Sequence, residues 1–167
     1  MRNKIVMPAL AFVLAIGLTG YVSLSVCVGR VLKPSEFDRF SGVILKSAIF
    51  HRNEGGASKA LNLLKQTMSS APSNGAIEIV GRSHAFPLPK YVCCQQQREG
   101  GLYFLAFISP EEVQDYFHRE LPEAGWRHVD HMAADHLFEG HGARMNITQH
   151  FYLTQDISEF GVSIRER

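Results

Sequence analysis

The chain has 167 residues, 46% of them apolar, 10% aromatic and 20% charged, and its 17 basic and 16 acidic side chains leave a net charge of +1. That apolar and aromatic content excludes a chain disordered throughout. Four of the bases (Arg2, Lys4, Arg30, Lys33) and none of the acids precede Pro34, so the remainder carries an excess of acid, which excludes the basic face of a nucleic-acid binder.

The first segment carries the strongest signal. Between Lys4 and Arg30 the 25 residues from Ile5 to Gly29 hold no charge, and a bilayer span needs about 20 apolar residues. A cleavable signal would show a shorter apolar core and a small-residue cleavage site. Residues 1–33 therefore read as a membrane anchor, a single-pass inner-membrane helix, and residues 34–167 as a small extracytoplasmic domain in the periplasm. The stretch Leu24-Ser25-Val26-Cys27 resembles the lipobox of bacterial lipoproteins. That resemblance implies a lipoprotein with lipidation at Cys27 as the alternative, although Val26 stands where the pattern prefers a small residue.

Residues 33–42 read as a polar connector and Val43–Phe50 as a short apolar strand. After Asn53-Glu54-Gly55-Gly56, the residues Ala57, Ala60, Leu61, Leu64 and Met68 fall at helical spacing, and Ala71-Pro72-Ser73-Asn74-Gly75 closes that helix. Ala76–Val80 alternates as a strand, and Pro87 and Pro89 mark an irregular entry to the next element. The runs 91–98 and 102–108 flank Glu99-Gly100-Gly101 and predict a hairpin. Ser109-Pro110-Glu111-Glu112 is a capping box with proline at the first helical position. The helix it opens should bury Val113, Tyr116, Phe117 and Leu121 and stop at Gly125. Strands then follow near 126–132, 136–139, 143–153 and 160–165. The sum is an α+β fold: a transmembrane helix, then an antiparallel sheet of about five or six strands packed against one or two helices, with Trp126 in the core. The run Phe107-Ile108-Ser109-Pro110-Glu111-Glu112-Val113, with Tyr116-Phe117, Leu121 and Gly125-Trp126, looks like a pattern in small exported or lipid-anchored bacterial domains. It implies a compact envelope domain and carries over no catalytic residue.

Six of the eight histidines (118, 128, 131, 136, 141, 150) lie between residues 118 and 150 among Asp115, Asp130, Asp135 and Glu139. Zn²⁺ uses such ligands. Strand alternation puts His128 and His131, three apart, on opposite faces, and the weak metal candidates are His128, His136 and His141. Cys93 and Cys94 are adjacent in a strand, so one is expected in the core and one exposed. No P-loop, dinucleotide fingerprint or nucleophile elbow is present. The expectation is no catalytic residue, no cofactor and no enzyme activity. From Glu111 to Glu139 eight acids face two bases, an acidic surface that would steer a basic partner. The function expected on this basis is binding of a protein partner in the cell envelope through Glu111, Glu112, Asp115, Glu120 and Glu123. Such a protein would be an immunity or inhibitor protein against a periplasmic toxin, or an accessory subunit of an envelope or secretion assembly. A histidine-rich metal-binding protein or enzyme is the alternative class.

Overall fold

The computed structural model describes residues 3–69, 74–79, 82–98 and 100–167, with side chains from Leu14 onward apart from those at 78, 79, 82 and 94. It divides into two compact units, Met1–Gly42 and Val43–Arg167.

In the first unit, helix α1 (Asn3–Val28) ends where Gly29 takes a positive φ of 73°. Among the described residues no helix is long and apolar enough to cross a membrane, so the anchor reading rests on the sequence run alone. Helix α2 (Pro34–Phe50) begins in this unit. Tyr21 ties the two helices by donating its hydroxyl to the carbonyl of Leu32 at 2.6 Å and by an edge-to-face contact with Phe37.

Helix α2 corrects two expectations, since residues 33–42 are not a connector and Val43–Phe50 is not a strand. Pro34 suits a first helical turn, and the Glu36 carboxylate accepts the Lys33 backbone N–H at 3.0 Å. Phe40, Val43 and Ser47 are buried at spacings of three and four, the period of a helix. The β-branched residues Val43 and Ile44 mimic a strand only when that longer period is overlooked.

In the second unit a 3₁₀ turn (Arg52–Glu54) leads to α3 (Gly56–Ser69), the expected helix, which buries Ala60, Leu63, Leu64 and Thr67. Of the segment expected to close it, residues 71–73 lie outside the described residues, and Asn74 and Gly75 belong to the next strand. Strands β1 (Asn74–Ile79) and β2 (Arg82–Pro87) form a two-stranded antiparallel sheet. The second of these was not expected, although His84 and Phe86 are buried alternately as in any half-buried strand. Strands β3 (Val92–Arg98) and β4 (Gly101–Ala106) form the expected hairpin, with Gly100 at φ 76°.

Helix α4 (Pro110–Glu123) begins as the sequence requires. Ser109 caps the N–H of Glu112 at 3.2 Å while the Glu112 carboxylate accepts the N–H of Ser109 at 3.0 Å. Val113, Phe117 and Leu121 are buried, and Tyr116 is half-buried with its hydroxyl on the Leu88 carbonyl. The chain leaves α4 through Gly125 at φ 85°, a conformation that suits glycine. It continues as β5 (Arg127–Met132), β6 (Asp135–Gly140), β7 (Ala143–Phe151) and β8 (Ser158–Glu166). Strand β8 returns to pair with β4, giving one six-stranded antiparallel sheet in the order β3-β4-β8-β7-β6-β5.

Helix α4 and the β2 end of the small sheet cover one face of this sheet. Phe104 and Phe160 stack at 5.2 Å, Phe117 meets Phe160 edge-on at 5.5 Å, and Trp126 and Phe138 are fully buried. Each such ring is worth about 1.5–3 kcal/mol of burial, so the core closes around the middle strands. Cys93 is the buried cysteine expected of the pair, while the side chain of Cys94 lies outside the described residues.

Candidate metal centre

The apolar core stops at Phe138, and beyond it towards the β5 edge the same sheet face carries imidazoles. Antiparallel partners share a face, and the register pairs His128 with Phe138 and His131 with His136. Both histidines of β5 therefore face α4. Simple alternation excluded that arrangement. A β-bulge between His128 and Asp130 inserts one extra residue, Val129, and so restores His131 to the side of His128. From above, α4 supplies His118 one turn beyond Gln114.

One ring nitrogen from each of His118, His128 and His136 lies within 4.8 Å of the others. His118 Nε2 and His136 Nδ1 are 3.2 Å apart and share a hydrogen bond. Two nitrogens on a tetrahedral zinc, each about 2.0–2.1 Å from the metal, sit about 3.3 Å from one another. Two ligands are thus already at coordinating separation, and the third needs a small ring movement. The ring of His131 lies 6.4 Å from that of His128 and 6.2 Å from that of His136, on the exposed side.

The protonation states suit a metal. Burial, followed by the charges of neighbouring imidazoles, lowers the pKa of His136 below its ordinary value, and burial, then His128, does the same for His118, with Asp115 opposing. Both rings are therefore neutral near pH 7, and the lone pair that one offers the other across their 3.2 Å hydrogen bond is the one a metal would take. His128 Nε2 is buried and has no hydrogen-bond partner among the described residues, a polar atom whose desolvation costs about 1–3 kcal/mol unless something binds it.

Behind His136 stands Gln149, buried on β7, with its amide nitrogen 3.4 Å from His136 Nε2 and 3.4 Å from the Gln114 side-chain oxygen. Its own oxygen has no partner among the described residues. If His136 coordinates through Nδ1, its Nε2 carries the proton and must donate. A half-turn of the Gln149 amide, matched by a half-turn of the Gln114 amide that bonds it, offers that oxygen as the acceptor that metal-bound histidines ordinarily have.

The histidines expected from sequence are divided. His128 and His136 meet at the cluster, whereas His141 sits in the β6–β7 turn with Nε2 2.8 Å from the Ala124 carbonyl and its ring against Trp126. His118 and Gln149 were missed, because a helix residue and a glutamine on the neighbouring strand β7 share no sequence spacing with His136. The acidic residues are divided as well. Glu112 is used in the helix cap, Glu120 pairs with Arg119 at 2.7 Å, and Glu139 lies on the opposite face of the sheet among arginines, while Glu111, Asp115 and Glu123 are exposed on α4. Cys27 is partly exposed in α1. No known protein family, curated protein or solved structure matches the chain.

Proposed function

We propose that this protein is a membrane-tethered domain that binds a borderline divalent transition metal, Zn²⁺ foremost, through His118, His128 and His136. The observation that carries the reading is the convergence of three imidazole nitrogens from α4, β5 and β6 within 4.8 Å. The ligand set is all nitrogen, which suits zinc, copper or nickel and not calcium or magnesium. His131 or water supplies the fourth position. Because the aromatic core closes without these side chains, the metal is held as an exchangeable ligand near the surface and is not needed for folding. The tether is supported by the uncharged run from Ile5 to Gly29, and alkaline carbonate extraction tests it, with release of the intact chain counting against it. Partner binding through the acids of α4 draws less support, since Glu112 and Glu120 are already engaged within the helix.

The test of metal binding uses the full-length protein in detergent, stripped with chelator and equilibrated with zinc. About one equivalent should remain after desalting, and Co²⁺ should give the intense visible absorption of a low-symmetry nitrogen site. Retention of the metal in a His118→Ala, His136→Ala double variant would remove the proposal.

A further inference from the structure

A second cluster lies on the sheet face turned away from α4 and is independent of the histidines. There the register sets Arg127, Glu139, Arg144 and Arg165 side by side on β5, β6, β7 and β8. Glu139 is only 9% exposed. Arg144 donates its Nε–H to one carboxylate oxygen at 2.9 Å, the Arg167 guanidinium pairs with the other, and Arg127 approaches that second oxygen at 3.7 Å. The guanidiniums, Arg167 first and then Arg144, hold the Glu139 carboxyl below its ordinary range, so it remains an anion and a fixed anchor for the forks around it.

The charges do not balance. A single carboxylate is in contact with three guanidiniums, each with five N–H donors, and the side chains of Arg127, Arg144 and Arg167 are 80%, 56% and 53% exposed. Asp130 and Asp135 share this face farther along the strands, where Asp130 accepts the His131 N–H and Asp135 the Thr148 hydroxyl. Most of the guanidinium donors face solvent. Like charges gathered this closely repel one another, and the repulsion is relieved by an oxyanion whose planar edge accepts two parallel N–H bonds from a fork. Glu139 lowers the ordering cost of binding such an anion by holding the side chains in place beforehand. Glu166, the acid next in the chain to Arg165, belongs to the other face by strand alternation.

We propose that Arg127, Arg144 and Arg167, anchored by Glu139, form a binding site for a phosphate-type oxyanion, either free in solution or carried on an anionic lipid headgroup.

The experiment follows the arginine side-chain N–H signals of the full-length protein in a zwitterionic detergent during titration with inorganic phosphate, and repeats the measurement in nanodiscs of phosphatidylcholine with and without phosphatidylglycerol. Saturable phosphate binding that weakens at least about tenfold in Arg127→Gln and in Arg144→Gln, and only partly in Arg144→Lys, supports the site with a free anion as its ligand. Phosphate that fails to saturate, together with signal shifts that need both phosphatidylglycerol and Arg127, supports the headgroup. Arg127 is exposed enough that its replacement leaves the fold intact, and unchanged thermal unfolding verifies this. Equal phosphate affinity in the wild type and the Arg127→Gln, Arg144→Gln double variant, or no response in either medium, overturns the proposal.

Discussion

Adding zinc to the metal-free protein should raise its thermal midpoint by an amount that depends on three named side chains. A ligand that binds only the folded state at a free concentration a hundred times its Kd adds about 2.7 kcal/mol of stability. For a domain between the 60–100 and 150–250 residue classes, each kcal/mol moves the midpoint by about 4 °C, so the expected rise is about 10 °C. Loss of one imidazole from the set of His118, His128 and His136 weakens affinity at least about a hundredfold, since even outer-shell changes cost 10–100-fold. At the same zinc concentration the linkage term then falls to about 0.4 kcal/mol and the shift to below about 2 °C. His150, exposed on β7, is the control, and His150→Ala should keep the full shift. Differential scanning fluorimetry with and without chelator reads the effect. The reasoning fails if His118→Ala and His136→Ala keep the wild-type shift, or if Mg²⁺ reproduces it.

Three further outcomes follow from the same geometry. Gln149→Leu should leave the fold in place and weaken zinc binding about 10–100-fold by removing the acceptor for His136 Nε2–H, as isothermal titration would show; unchanged affinity would remove Gln149 from the site. Ser109→Ala should cost about 1 kcal/mol by breaking the capping box of α4, visible as a midpoint about 4 °C lower. In the metal-free protein, His118 and His136 have folded pKa values lowered from 6.5, so the unfolded chain takes up protons first. Stability is then complete above pH 6.5 and declines as the pH falls through the lowered folded values, and chemical denaturation across that window should show a loss that the His118→Ala, His136→Ala double variant lacks.

The local architecture was readable wherever one side chain settles a conformation. Ser109, Pro110 and Glu112 fix the start of α4, and Gly100 and Gly125 mark a turn and a helix end by backbone freedom alone. Helix α2 was hidden because Val43 and Ile44 favour a strand locally while the buried set Phe40, Val43 and Ser47 has the helical period. The histidine site was half readable. Its residue types and neighbourhood are in the sequence, but alternation in β5 depends on a bulge at Val129, and an inserted residue leaves no mark on the pattern of side chains on either side of it. His118 joins through helix-on-sheet packing, which brings together residues that no short-range rule connects.

The boundary between core and site explains why the cluster has the chemistry it has. Phe138 is fully buried, and its ring lies 5.6 Å from that of His118 and 5.1 Å from that of His128. It closes the aromatic core on one side and forms an apolar wall for the imidazoles on the other. Burial strips water from the rings of His118 and His136, which disfavours their charged forms and lowers their pKa values. The same desolvation leaves His128 Nε2 buried without a partner among the described residues. Neutral, converging and incompletely hydrogen-bonded imidazoles are costly in an empty protein and are the form in which histidine binds a metal. On the reverse of the same strands Arg127, Arg144 and Arg165 lie exposed to solvent. The sheet thus separates the proposed cation site from the proposed anion site by about the thickness of one layer of backbone.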